Sequence, residues 1–182
     1  MGLSIRNIKK GLELKIHKCI ALLGEEYTSL NYTIYFYKSK EELRKEQTKK
    51  PDMKAEHYIQ ILDGQTVPAG LTIGERGKIK IFLFHFRDVK KDPVELINLI
   101  GNLYHEIRHA WQYDNNLFQG EDIIDTIDGN SEKYYNLPSE KDAYRFQEEQ
   151  MQNHGNEILR IFGFDMKINF QLKPEIKKTI DS

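Results

Sequence analysis

Three observations predict an α+β fold in which a small, mostly antiparallel sheet packs on helices. Apolar residues recur every three or four positions in several stretches, short β-branched and aromatic runs lie between them, and a glycine-flanked turn joins two such runs. At 182 residues the chain can bury a core without disulfide or metal staples, so residues 1–182 read as a single domain.

The elements follow in order. From Ile5, the residues Ile8, Leu12, Ile16, Cys19, Ile20 and Leu23 form one stripe of an amphipathic helix that Gly24 can end. Tyr32 to Tyr37 is a β-branched and aromatic run, and therefore a strand. Ser39 with Glu42 forms a capping box that opens a charged helix running to Lys50, with Pro51 as its stop. His57 to Leu62 alternates as a strand does, and Leu71 to Ile73 is expected to pair with Lys78 to Phe86 through the turn Gly74-Glu75-Arg76-Gly77. Asp92-Pro93-Val94-Glu95 supplies an N-cap, a proline at the first helical position and an acid in the first turn, opening a helix that reaches Tyr113. Asp114 to Asn136 is polar and carries Gly120 and Gly129, as a long loop or lid does. Pro138 starts a last helix, which Gly155 is expected to interrupt before Ile158 to Phe162.

Charge and cysteine usage narrow the function classes. With 27 basic against 28 acidic residues, no overall field directs the chain to nucleic acid or to an anionic membrane. No apolar run approaches the roughly 18 residues of a membrane span. Met1 to Arg6 lacks a signal-peptide core and the hydroxyl residue of a myristoylation signal. The single cysteine, Cys19, suits a reducing compartment, and a cytoplasmic location is expected.

His105-Glu106-Ile107-Arg108-His109 matches H-E-x-x-H, and the spacing has a mechanical reason. Histidines four apart share one helix face, so both imidazoles can reach one ion, while Glu106, one residue round, can take a proton from water beside it. Leu96, Ile100, Leu103, Ile107 and Trp111 form the core stripe of this helix, and Asn98, Gly101 and Asn102 are expected to line a cleft. His17, His57 and His154 are lone histidines without ligand spacing. His85 ends the preceding strand, where packing is its expected use.

A catalytic zinc site takes a third protein ligand. Gln112 and Asn115 stand where the metzincin pattern requires glycine and histidine, which removes that class. Glu140, at the start of the next helix, is the first choice, with Ala143 and Tyr144 on its face. Asp142 is the main rival, and Asp122 and Asp125 in the loop remain alternatives. Tyr134, Tyr135 and Tyr144 are the candidates for stabilising a developing oxyanion. Arg108 is expected in ordinary surface pairing, and Lys78 to Phe86 reads either as an edge strand that can accept an extended peptide or as core.

His105 to Gln112 and Leu137 to Ala143, within the order helix, sheet, motif helix and glutamate helix, resemble the minigluzincins, compact zinc peptidases that include the ImmA/IrrE family. The resemblance covers residues 5 to 155 in layout and about 15 residues in specific motif. It implies Zn2+ held by His105, His109 and Glu140, with Glu106 as general base and a peptide or protein as substrate. The larger thermolysin-type gluzincins carry an aspartate four residues after the ligand glutamate; here that residue is Tyr144. The competing expectation is a metal-binding interaction or regulatory protein without turnover, which Glu106→Gln distinguishes from a peptidase.

Overall fold

The computed structural model describes residues 2–121 and 131–182, so the alternatives Asp122 and Asp125 lie outside the described residues. Among the described residues four strands form one sheet: β1 Ser4–Arg6, β2 Thr33–Tyr37, β3 Gly70–Ile73 and β4 Lys78–Phe82, in the order β1-β2-β4-β3. β1 and β2 pair in parallel, as do β2 and β4, and only β3 and β4 are antiparallel. The sheet is therefore mixed, not mostly antiparallel. The cause is connectivity: helices carry the chain from β1 to β2 and from β2 towards β4, and such crossovers return strands in the same direction. The one tight link, the 3-10 turn Gly74–Arg76 closed by Gly77 at φ +58°, makes the one antiparallel pair. Because β4 lies inside the sheet, the edge strands are β1 and β3, not Lys78 to Phe86, and β4 stops at Phe82.

The helices are α1 Lys10–Ala21, α2 Glu25–Thr28, α3 Lys40–Lys49, α4 Ala55–Asp63, α5 Pro93–Asp114, α6 Ser131–Tyr135, α7 Pro138–Phe162 and α8 Pro174–Asp181. α1 begins later than the stripe from Ile5 suggests, because Ile5 belongs to β1 and Asn7 takes a positive φ of 68° that breaks the chain direction. His57 to Leu62 lies in α4, not in a strand. Tyr58, Ile61 and Leu62 point inward at helical spacing while Ile59 is 48 % exposed, the reverse of what alternation requires. α7 runs unbroken through Gly155, whose missing side chain gives Ile168 room, since a Cβ there would stand 3.3 Å from it.

Alternation along the strands divides the sheet between two cores. Ile34, Phe36, Ile79 and Ile81 face a large cluster built with α1, α5 and α7. Tyr37 and Phe82 face a smaller one closed by Leu43 of α3 and by Tyr58, Ile61 and Leu62 of α4. On this second side Lys80 is fully buried and paired with Glu46 and Asp52. In the larger core Leu96, Ile100, Leu103 and Ile107 of α5 are completely buried, each contributing roughly 1.5–3 kcal/mol of hydrophobic stabilisation. That stripe fixes the rotation of α5 and so aims its neighbouring face at α7 and β3. No helix among the described residues is long and apolar enough to cross a membrane.

Candidate metal centre

α5 starts where its caps dictate: the Asp92 carboxylate accepts from the backbone N–H groups of Val94 and Glu95, and Pro93 occupies the first turn. α7 begins at Pro138 and packs along α5 in the opposite direction. His109 meets Glu140, Gly101 meets Gln147 and Met151, and Ile97 meets Gly155. This antiparallel contact brings the first turn of α7, and with it Glu140, onto the two histidines.

The three side chains converge. Nε2 of His105 and Nε2 of His109 stand 3.0 Å apart, and each lies 3.2 Å from a carboxylate oxygen of Glu140. Ligand atoms about 2.0–2.1 Å from a tetrahedral zinc are separated by roughly 3.3 Å, so this spacing fits one such ion. Two imidazoles and one carboxylate are also a donor set that zinc accepts. It is the one grouping of this kind found among the described residues. His105 and Glu140 are only 4 % and 6 % exposed. Burial alone would raise the Glu140 carboxyl, but the two histidines outweigh it and hold it well below the usual carboxylate range. Conversely, burial would lower His109, and Glu140 lifts it to about 9.

Gln112 fixes the orientation of His109. Its amide Nε2 donates to the Ser139 carbonyl at 2.9 Å and to Asp142 Oδ2 at 2.7 Å, which leaves Oε1 facing His109 Nδ1 at 2.8 Å. An oxygen there can only accept, so Nδ1 carries a hydrogen, and in the neutral ring that a metal would require the Nε2 lone pair points at the cluster. Sequence reasoning used Gln112 only to dismiss another pattern, although its position three residues after His109, on the same helix face, signals this contact. Asp142, the rival ligand, is committed elsewhere: Arg108 holds it through Nε at 2.7 Å and Nη2 at 3.1 Å. Arg108 itself is not in ordinary surface pairing. It is half-buried, donates to the Tyr27 hydroxyl at 2.5 Å and lies 3.9 Å above the Trp111 ring.

Glu106 lies beneath β3. Thr72 Oγ1 stands 2.8 Å from Glu106 Oε2 and 2.8 Å from the Glu106 carbonyl oxygen. When the carboxylate is ionised the hydroxyl donates to it. When the carboxyl carries a proton, it donates to the hydroxyl, which passes its own hydrogen to the carbonyl. Burial raises the Glu106 pKa above its ordinary value, against the pull of both histidines and Thr72, and so strengthens it as a proton acceptor.

A cleft of about 340 Å³ opens over these groups. Gly70, Leu71 and Thr72 of β3 form one wall, Tyr113 and Tyr134 flank it, and Glu106, His109 and Glu140 lie along its base. Asn98, Gly101 and Asn102 are not among its lining residues, and Gly101 is buried in the seam between α5 and α7. Of the three tyrosines, Tyr134 lines the cleft, its phenol pushed well above the usual value by burial and then by Glu140. Tyr144 sets its ring 4.3 Å from the His105 ring, with Tyr135 behind it at 5.7 Å. His85 packs between Phe82 and Phe84, away from the cluster.

Comparison of the chain with protein-family models, with curated proteins and with solved structures finds no match.

Proposed function

We propose that this chain is a zinc-dependent peptidase of the gluzincin type, in which His105, His109 and Glu140 hold the metal and Glu106 is the general base. The observation that carries the reading is the convergence of two Nε2 atoms and one carboxylate within 3.0–3.2 Å at the base of a cleft that also contains Glu106. When bound, zinc supplies Lewis acidity, polarising a carbonyl and acidifying water. Glu106 accepts the proton that water loses and returns it to the departing amine, the Thr72 hydroxyl serving it in both states. The Tyr134 hydroxyl, beside Glu140 in the cleft, is the donor we assign to a developing oxyanion, and Tyr144 packs against His105 and steadies its ring.

An extended peptide is the substrate that suits the cleft, because β3 is an edge strand whose backbone groups on the side away from β4 can pair with it. A cytoplasmic setting agrees with a lone cysteine whose burial pushes its thiol up to about 12, which keeps it unreactive.

The test is elemental analysis and peptide turnover on tag-free protein. Wild type is expected to bind one zinc, His109→Ala and Glu140→Ala to lose it, and Glu106→Gln to keep it while turnover falls by roughly 10²–10⁴-fold. Failure to take up zinc sinks the metal site. Zinc bound without turnover on any peptide, with a partner still bound by Glu106→Gln, replaces the peptidase by a metal-dependent interaction protein.

A further inference from the structure

We propose that Thr72 and Gly70 of the edge strand are positioning residues that hold the Glu106 carboxylate in its working orientation, an inference that rests on the peptidase reading above. Neither residue lies in or near the H-E-x-x-H motif; Thr72 and Gly70 stand 34 and 36 positions before Glu106. A glutamate has three side-chain torsions, and the hydrogen bond to the Glu106 carboxylate comes from β3. Restraint comes from β3. Gly70 leaves the space in which the side chain lies: a Cβ built there would be 2.6 Å from Glu106 Cγ and 3.1 Å from Cδ. The same Cβ would meet the Lys80 carbonyl at 3.0 Å, so the strand cannot shift away to accommodate it without disturbing its pairing with β4.

Two residues further along the same face, Thr72 Oγ1 reaches the end of the carboxylate at 2.8 Å and the backbone of the same glutamate at 2.8 Å. When the carboxyl carries a proton the hydroxyl links the end of the Glu106 side chain to the Glu106 carbonyl, and when the carboxylate is ionised the single hydroxyl hydrogen goes to Oε2, so Thr72 holds that end in both states. β3 also forms the wall of the cleft, so the strand that a peptide would pair with is the one that orients the base.

The experiment uses zinc-loaded wild type, Thr72→Val, Thr72→Ser and Gly70→Ala, with crystal structures and steady-state kinetics on each. Valine keeps the shape of threonine and removes only the hydroxyl. Thr72→Val is expected to keep stoichiometric zinc and an unchanged KM, to lose about 10–100-fold in kcat, and to show Glu106 in more than one conformer. Thr72→Ser should restore most of kcat and the single conformer. Gly70→Ala, which displaces Glu106 by bulk instead of by loss of a bond, should give the same kinetic signature and decides the question if Thr72→Val folds poorly. A single unchanged Glu106 conformer in both Thr72→Val and Gly70→Ala overturns the proposal, as does undiminished kcat. If wild type binds zinc but cleaves no peptide, the peptidase reading falls, and the Glu106 conformers alone decide the role of Thr72 and Gly70.

Discussion

Gln112 shows how much of the proposed metal site can rest on an uncharged residue. Its amide is oriented by two acceptors, the Ser139 carbonyl and Asp142, and this orientation fixes the tautomer of His109. Removing it should free the His109 ring without touching any of the three ligand atoms. Gln112→Met, close in volume, is therefore expected to weaken zinc binding about 10–100-fold in a chelator competition while the circular dichroism of the fold is retained. Undiminished affinity would show that packing by Tyr144 and α7 suffices to hold the imidazoles. Much of this shell was readable from helical spacing alone: His105, His109 and Gln112 share one face because they are separated by four and three residues. Thr72 was not, because a threonine in a short strand carries no mark of the glutamate it will meet 34 residues later.

Among the elements, α5 and α7 carry the site between them, and their separation sets the distance from Glu140 to the histidines. Gly101 lies in the seam, against Gln147 and Met151. A Cβ there would stand 3.0 Å from the Gln147 amide, the movable end of a side chain, so alanine can be admitted but a branched residue cannot. Gly101→Val is expected to cost about 1–3 kcal/mol through overpacking and to lower zinc affinity with it, as urea unfolding and zinc titration would reveal. Gly11, in the exposed first turn of α1 with nothing within 4 Å of its Cβ position, supplies the contrast: Gly11→Ala should stabilise by roughly 0.5–1 kcal/mol and leave zinc affinity alone. If both variants changed zinc binding equally, the seam would not be what spaces the ligands.

The molecule as a whole is held by two unlike cores on the two faces of one sheet. The larger is apolar, whereas the smaller contains a polar knot in which buried Lys80 meets Glu46 and Asp52, Lys78 meets Asp52 at 2.7 Å, and the Tyr58 hydroxyl donates to Glu46 at 2.6 Å. Burial would raise the Asp52 carboxyl, but the two lysines outweigh it and bring it down to about 2. A depressed folded pKa contributes stability that is present above the unfolded value near 4 and lost as pH falls through 2, on the order of 2 kcal/mol for this residue. Urea unfolding between pH 5 and pH 2 should register that loss, and Asp52→Asn should flatten it; an unchanged slope in that variant would place the acid sensitivity elsewhere, Glu140 being the next group in line. Lys80→Met, which takes the buried cation from Glu46 and leaves Asp52 with Lys78 alone, should cost about 3–5 kcal/mol.

By itself the sequence determined the features whose causes are local. Asp92 and Pro93 start α5, Pro138 starts α7, and the four-residue spacing of His105 and His109 puts two imidazoles on one face, because caps and helical periodicity act within a turn or two of the chain. Glu140 was proposed as a ligand from its place at the start of the next helix and from the resemblance, because its meeting with the histidines depends on the antiparallel contact of two helices, which the sequence does not record. The parallel pairing of β1, β2 and β4 was not legible, because three residues of β1 carry no periodicity and strand direction is set by the helices between strands. Nor was the helical state of Ala55–Asp63, where six residues of near-alternation fit either period until the second face of the sheet selected Tyr58, Ile61 and Leu62. The tertiary structure alone decided that Tyr134 lines the cleft while Tyr144 braces His105, and that the edge strand beside Glu106 is β3. These depend on contacts between residues far apart in the chain, which no local pattern records.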